Sequence, residues 1–287
     1  MKPGNKAMNG KAGTPRRRCL LALAALGMLP PIASWAAVPP LPVEIAARGT
    51  LVIALFASFP PMAYKLPADN RLVGVDVDLA ADLAKRLGLR VEWQDTSYES
   101  AINAMATGRV DMAFSMLNRP ESADRLDYVD YLTSGMQIYT LASHTPIAGP
   151  EGLCGLRLGA NRRNGFDAAM RAWSDTHCVA QGRPAIQIQA TEGTPEARLQ
   201  LRQSRVDAVV QSSESVPYTM AQEAGTYVMV GEPLNRLTIG MAFVKKSSQL
   251  RDAMRWALEQ SIADGSYAAI LARHDLARNA IASSTTP

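Results

Sequence analysis

Short apolar runs of strand length alternate with segments of helical period from residue 51 onward, and that alternation leaves few folds open. Leu51-Val52-Ile53-Ala54-Leu55 suits a strand buried on both faces. A helix follows in which Leu79, Leu83 and Leu87 share one face, with Asp76 or Asp78 as its cap and Gly88 as its stop. Leu89 to Trp93 alternates apolar and polar residues and is read as the next strand. The unit then repeats, with a helix from Tyr98 to Ala106, a turn at Gly108 and a strand from Val110 to Phe114. A second set starts near Leu153, with strands at Leu156–Gly159, Ala185–Ala190 and Val206–Val210 and helices at Phe166–Trp173 and Pro195–Gln203. A last strand, Gly240–Val244, leads into a long helix carrying Leu250, Met254, Leu258 and Ile262 on one face. The expected class is α/β, with mostly parallel sheets flanked by helices. Arg205-Val206-Asp207-Ala208 echoes Arg109-Val110-Asp111-Met112, so two similar lobes are the simplest arrangement. The Ser/Thr-rich tail after Ala280 is expected to fray.

The beginning of the chain reads as an export signal. Arg16-Arg17-Arg18 precedes an apolar stretch from Cys19 to Leu29, and Ser34-Trp35-Ala36 offers small residues for cleavage after Ala36. The apolar core is too short to span a bilayer. Removing residues 1–36 leaves 24 basic against 26 acidic side chains, a net charge near −2, so the basic character of the whole sequence is no argument for a nucleic-acid partner. Cys154 and Cys178 then remain, and export favours a disulfide between them over two inert buried thiols. The three histidines show no ligand spacing, so neither a metal nor a cofactor is expected.

Several motifs carry a resemblance: Phe59-Pro60-Pro61-Met62, Leu72-Val73-Gly74-Val75-Asp76-Val77-Asp78-Leu79, Gly108-Arg109-Val110-Asp111-Met112-Ala113, Pro120-Glu121, and Asp127-Tyr128-Val129-Asp130. They continue with Arg205 to Val210, Gly240 to Lys245 and Ala263-Asp264-Gly265-Ser266-Tyr267. In this order they resemble the periplasmic solute-binding proteins of polar amino-acid ABC transporters, family 3, with the type II periplasmic-binding fold. The resemblance implies two α/β lobes joined by two hinge strands. Residues 37–135 and 237–287 would form the first lobe and 136–236 the second. It also implies closure on a small polar ligand and presentation of the closed form to an inner-membrane permease, by a periplasmic and monomeric protein.

The resemblance also assigns a pocket. Phe59 and Tyr98 match the aromatic pair that holds the ligand's body, while Phe56 stands where many relatives carry an acidic or small residue. Ser115 and Asn118 fall in the loop of small polar residues that precedes the family's carboxylate-gripping arginine. That arginine's own position is Ser122, so Arg119 or Arg125 must reach the carboxylate, and Arg119 is the choice. In the second lobe the anion-binding helix start reads Arg163-Asn164-Gly165, with Arg162 beside it. The acidic residue that pairs with an ammonium has become Ser212, and Glu214 could replace it only through a different loop shape. Both charged anchors of a free amino acid are thus displaced, which opens the ligand class to amino-acid derivatives and small carboxylates. Two alternatives accompany transport. One is a dehydratase-like enzyme acting on a cyclic carboxylate with Glu214 or Glu121 as acid, and the other is a ligand sensor without transport.

Overall fold

A computed structural model describes residues 38–162 and 164–284. The export segment expected over residues 1–36, and Arg163, lie outside the described residues.

The elements in chain order are α1 (Val43–Arg48), β1 (Thr50–Leu55), β2 (Ser58–Phe59), β3 (Ala63–Lys65), β4 (Leu72–Val73), α2 (Val75–Arg86), β5 (Arg90–Asp95), α3 (Tyr98–Ala106), β6 (Met112–Leu117) and β7 (Leu126–Ser134). They continue with β8 (Met136–Leu141), β9 (Arg157–Asn161), α4 (Phe166–His177), β10 (Gln187–Thr191), α5 (Thr194–Arg202), β11 (Ala208–Ser212), α6 (Val216–Gln222), β12 (Tyr227–Val230), β13 (Leu237–Val244), α7 (Ser248–Ala263) and α8 (Ser266–Arg273). Two five-stranded sheets result, in the orders β5-β1-β6-β13-β7 and β10-β9-β11-β8-β12. In each, three strands run parallel, and the two strands at the other side of the sheet add antiparallel. The chain passes from the first sheet to the second between β7 and β8, and returns between β12 and β13.

Both faces of each sheet are covered. Leu51, Ile53, Met112 and Phe114 pack with α2, α7 and α8 through Leu79, Leu83, Met254, Leu258 and Leu271. Ala54 and Ala113 face the other way, against Ala101, Ala104 and Met105 of α3. The second sheet repeats this, with Leu158, Ala160 and Val210 toward Phe166 and Met170 of α4, and Val209 toward Ala197 and Leu201 of α5. Strands buried on both faces read as unbroken apolar runs, which is the pattern the sequence shows. The disulfide Cys154–Cys178 is present, tying the entry to β9 to the end of α4.

The echoed Arg-Val-Asp segments act alike. The Asp111 carboxylate accepts from the Val52 amide at 2.7 Å while the Asp111 amide donates to the Val52 carbonyl at 2.9 Å. Asp207 does the same with Arg157, at 2.8 Å each way. Each aspartate clamps the start of the neighbouring parallel strand, so β6 and β11 begin after it, two residues later than predicted.

Two expectations are corrected. Neither Asp76 nor Asp78 caps α2. The cap is Gly74 at φ +131°, and the first amides of the helix, Val75 and Asp76, donate to the carbonyls of Pro61 and Met62. Asp78 lies on the helix surface and holds Arg273 and His274, while Asp76 is fully buried. The tail does not fray at Ala280: the Ile281 amide donates to the Tyr267 hydroxyl at 2.9 Å, and the buried Ser284 donates to Glu259 at 2.9 Å.

Candidate functional site

Parallel strands in α/β sheets deliver their following loops to one edge, and ligands bind there. In the first lobe, β1 delivers Phe56, β5 delivers Tyr98 and β6 delivers Ser115, Leu117 and Arg119. In the second, β9 delivers Asn161, Arg162 and Asn164, and β11 delivers Ser212 and Glu214. All of these line one cleft of about 800 Å³. Contacts join the lobes, two of them as follows. The Arg119 guanidinium donates through Nη2 to the Asn164 carbonyl at 3.1 Å, and the rings of Tyr64 and Tyr218 meet edge to face at 5.4 Å.

The aromatic wall differs in detail from the expectation. The ring that stacks on Tyr98 is Phe56, at 6.2 Å between centroids and 25° between planes. Tyr98 is the first residue of α3, whose start is fixed by the Ser97 hydroxyl accepting from the Ser100 amide. Phe59, on β2, lines the cleft as a separate ring.

Ser115 is 7% exposed and has φ +55°, a conformation that costs a non-glycine residue energy unless its surroundings hold it there. A buried network does so. The Ser115 hydroxyl donates to Asp76 Oδ2 at 2.6 Å, the Tyr131 hydroxyl donates to Asp76 Oδ1 at 2.6 Å, and the Ser115 amide donates to the Tyr131 oxygen at 3.2 Å. Burial pushes the Asp76 carboxyl up to about 6 against the two hydroxyl donors. Asn118 does not join the cleft. Its amide group donates to both oxygens of Asp130 at 3.2 Å, and this correction follows from a carboxylate on β7, one strand beyond β13, that a loop asparagine can satisfy. Ser122, at the family's arginine position, spends its hydroxyl on the Arg119 carbonyl and Tyr128, each at 2.8 Å. Of the two substitute arginines, Arg119 is 34% exposed and spans the lobes, whereas Arg125 is 63% exposed beside Asp124.

On the second lobe Asn164 serves α4 itself, because its Oδ1 accepts from the Phe166 amide at 3.2 Å. One of the amides expected to meet an anion is therefore already bonded. Arg162 pairs with Glu192. After Ser212 the chain makes a single tight helical turn, Ser213–Ser215, which brings Glu214 back to the cleft. Glu214 is 1% exposed and accepts from the Ser134 hydroxyl at 2.5 Å. Burial pushes its carboxyl up to about 7, the hydroxyls of Ser134 and Ser212 pull it down, and the charge of Asp76 adds to the rise. A carboxyl poised there can be a neutral donor or a charged acceptor near neutral pH.

Sequence reasoning missed the Asp76–Tyr131 pair that holds Ser115, the Ser134 hydroxyl that donates to Glu214, and also a second compartment of about 340 Å³ that opens off the cleft. The compartment shares Phe59, Asn161, Asn164 and Ser212 with the main cleft and extends to Gly193, Arg198, Ser215 and Tyr218. The Gly193-Thr194-Pro195 helix start was a usable signal for it.

Residues 51–276 match the bacterial extracellular solute-binding proteins, family 3. The chain belongs to this family. Among its relatives is the arginine-binding protein ArgT of Corynebacterium glutamicum, 26% identical over 233 residues, 81% of this chain and 76% of that one. Another is the L-cystine-binding protein TcyJ of Escherichia coli, 22% identical over 230 residues, 79% of this chain and 83% of that one. A solved ancestral cationic amino acid solute-binding protein, AncCDT-1, superposes with a TM-score of 0.67 at 27% identity, covering 80% of this chain and 97% of that one. The same ancestor is described elsewhere as a precursor of cyclohexadienyl dehydratase. This solute-binding protein has the two-lobed α/β architecture of its relatives. Among its described residues no helix is long and apolar enough to cross a membrane, and no cluster of metal-binding side chains is found.

Proposed function

We propose that this protein is the periplasmic capture component of an ABC importer and closes on a small polar solute of amino-acid type, or a close carboxylate derivative, without catalysing a reaction. Its first lobe comprises 38–135 and 237–284, and its second 136–236. The observation that carries this reading is the Arg119 guanidinium, which reaches from the first lobe into the cleft and touches the second. Arg119, whose Nη1 lies 3.7 Å from the Glu121 carboxylate, can turn its guanidinium to a ligand carboxylate, Phe56 and Tyr98 give the ligand's body an apolar wall, and Ser212 offers a hydroxyl. Relatives named for arginine, cystine and histidine support the amino-acid class. The export signal expected before Ala37 supports the periplasmic address. The partners are the solute and an inner-membrane permease.

The test is to unfold and refold the purified chain from Ala37, removing carried ligand, and to screen amino acids, carboxylates, amines and small anions by thermal shift. A true ligand at a hundred times its dissociation constant adds about 2.7 kcal/mol to the folded state. The shift should be largest for an amino acid or carboxylate and should vanish in Arg119→Ala. A panel without any shift refutes the reading.

A second reading is favoured by one feature, the carboxyl of Glu214 near 7 at the cleft. It would be an enzyme dehydrating a cyclic carboxylate with Glu214 as general acid. Turnover of such a substrate, abolished in Glu214→Gln, would establish it.

A further inference from the structure

The second compartment, walled by Ser58 to Pro60 on one side and by the second lobe on the other, has a chemistry of its own. Among its described lining residues, Arg198 is the only one with a formal charge. Arg198 lies on α5, whose first residues Thr194 and Pro195 and preceding Gly193 also line the wall and which has no side-chain cap. An uncapped helix start leaves backbone amides without intrahelical partners and favours negative charge.

Two further observations point to a ligand there. Ser215 is 4% exposed and lines the compartment, yet its hydroxyl has no hydrogen-bond partner. Buried polar groups are nearly always satisfied, so an unsatisfied hydroxyl on the cavity wall marks a missing partner. The local charge is uncompensated as well. Glu223 lies 3.6 Å from Arg198 Nε and 2.8 Å from Arg202, so one carboxylate serves two guanidinium groups. Arg198 Nη1 is occupied by the neutral Thr219 hydroxyl at 3.1 Å.

We infer that this compartment receives a carboxylate at the far end of an elongated ligand whose near end lies in the main cleft. The ligand class is then an α-amino dicarboxylic acid or a similarly extended diacid. The inference rests on the solute-binding reading above and narrows it. The two spaces share Phe59, Asn161, Asn164 and Ser212, so one molecule can pass from one to the other.

The test uses calorimetry on the refolded chain with L-2-aminoadipate and L-2-aminopimelate, the ω-amide of each, short neutral amino acids and inorganic phosphate. The diacids should bind about tenfold or more tighter than their amides, and Arg198→Gln should erase most of that ratio. Ser215→Ala, a milder change, should reduce the ratio by about threefold, and it carries the test should Arg198→Gln fail to fold. Equal affinity for diacid and amide, or a loss in Arg198→Gln that is equal for both, overturns the inference. Phosphate binding with no preference for diacids also overturns it, since the anion site would then be independent of the solute. Short amino acids binding without a diacid preference would leave the solute-binding reading standing alone. Silence across the whole panel would overturn both.

Discussion

Replacing Glu214 by glutamine should change how the protein's stability depends on pH. The carboxyl is buried at the cleft, and its pKa rises from 4.5 in the unfolded chain to about 7 in the fold because burial penalises the charged form. Between those values the native state keeps a proton that the unfolded state has released. Stability is therefore fully present below pH 4.5 and is lost as the pH rises through 7. Worked through the linkage relation, this single group costs the native state about 2.5 kcal/mol between pH 5 and pH 8. The Glu214→Gln side chain can still accept from the Ser134 hydroxyl but cannot titrate. Asp76, raised from 3.8 to about 6, contributes a slope of the same sign in both proteins, so most of it cancels in the comparison. Urea unfolding followed by tryptophan fluorescence at several pH values gives the stability difference directly. The variant should gain on the wild type by about 2.5 kcal/mol from pH 5 to pH 8, whatever the constant offset of the amide. A difference that stays flat across that range would refute the assignment of a raised pKa to Glu214.

Reduction of Cys154–Cys178, or their double replacement by serine, should destabilise the chain by about 3.5 kcal/mol on the loop-closure argument for a separation of 24 residues, measured as a shift in the urea midpoint. Gly74→Ala should cost about 3 kcal/mol or more, because a Cβ there would lie 2.2 Å from the Met62 carbonyl oxygen at φ +131°; thermal melts would show it as a large drop in Tm. Tyr98→Ala removes the stacked partner of Phe56 and should weaken the captured solute by about tenfold in calorimetry while changing Tm little. Asn118→Ala breaks a bond to Asp130 outside the cleft and should lower stability by about 1 kcal/mol with ligand affinity unchanged.

Much of the fold was legible because its signals are local. The runs at Leu51–Leu55 and Ala208–Val210 are apolar throughout because helices cover both faces of the sheets, and α3 spans Tyr98–Ala106 as the periodicity predicts. The cleft residues Phe56, Tyr98, Arg119 and Ser212 came from the family resemblance, position by position, and all four line the cleft. Other assignments failed where a partner distant in sequence decided the outcome. Asn118 was drawn away by Asp130, and Asp76 was claimed by Ser115 and Tyr131 instead of capping its own helix. The tail was held by Tyr267 and Glu259 against its Ser/Thr-rich composition.

The sequence by itself determined the alternation of strands and helices, the paired Arg-Val-Asp clamps and the family. Each depends on residues close together in the chain or on patterns that repeat along it. Only the tertiary structure decided which polar groups face the cleft and which face each other. A buried carboxylate such as Asp76 or Glu214 takes its role from hydroxyls 39 and 80 residues away, and no local pattern encodes that distance. The second compartment arises the same way. Arg198 and Ser215 come from separate segments, and the unmet hydrogen bond of the Ser215 hydroxyl beside that charge becomes visible only when the wall between them is folded.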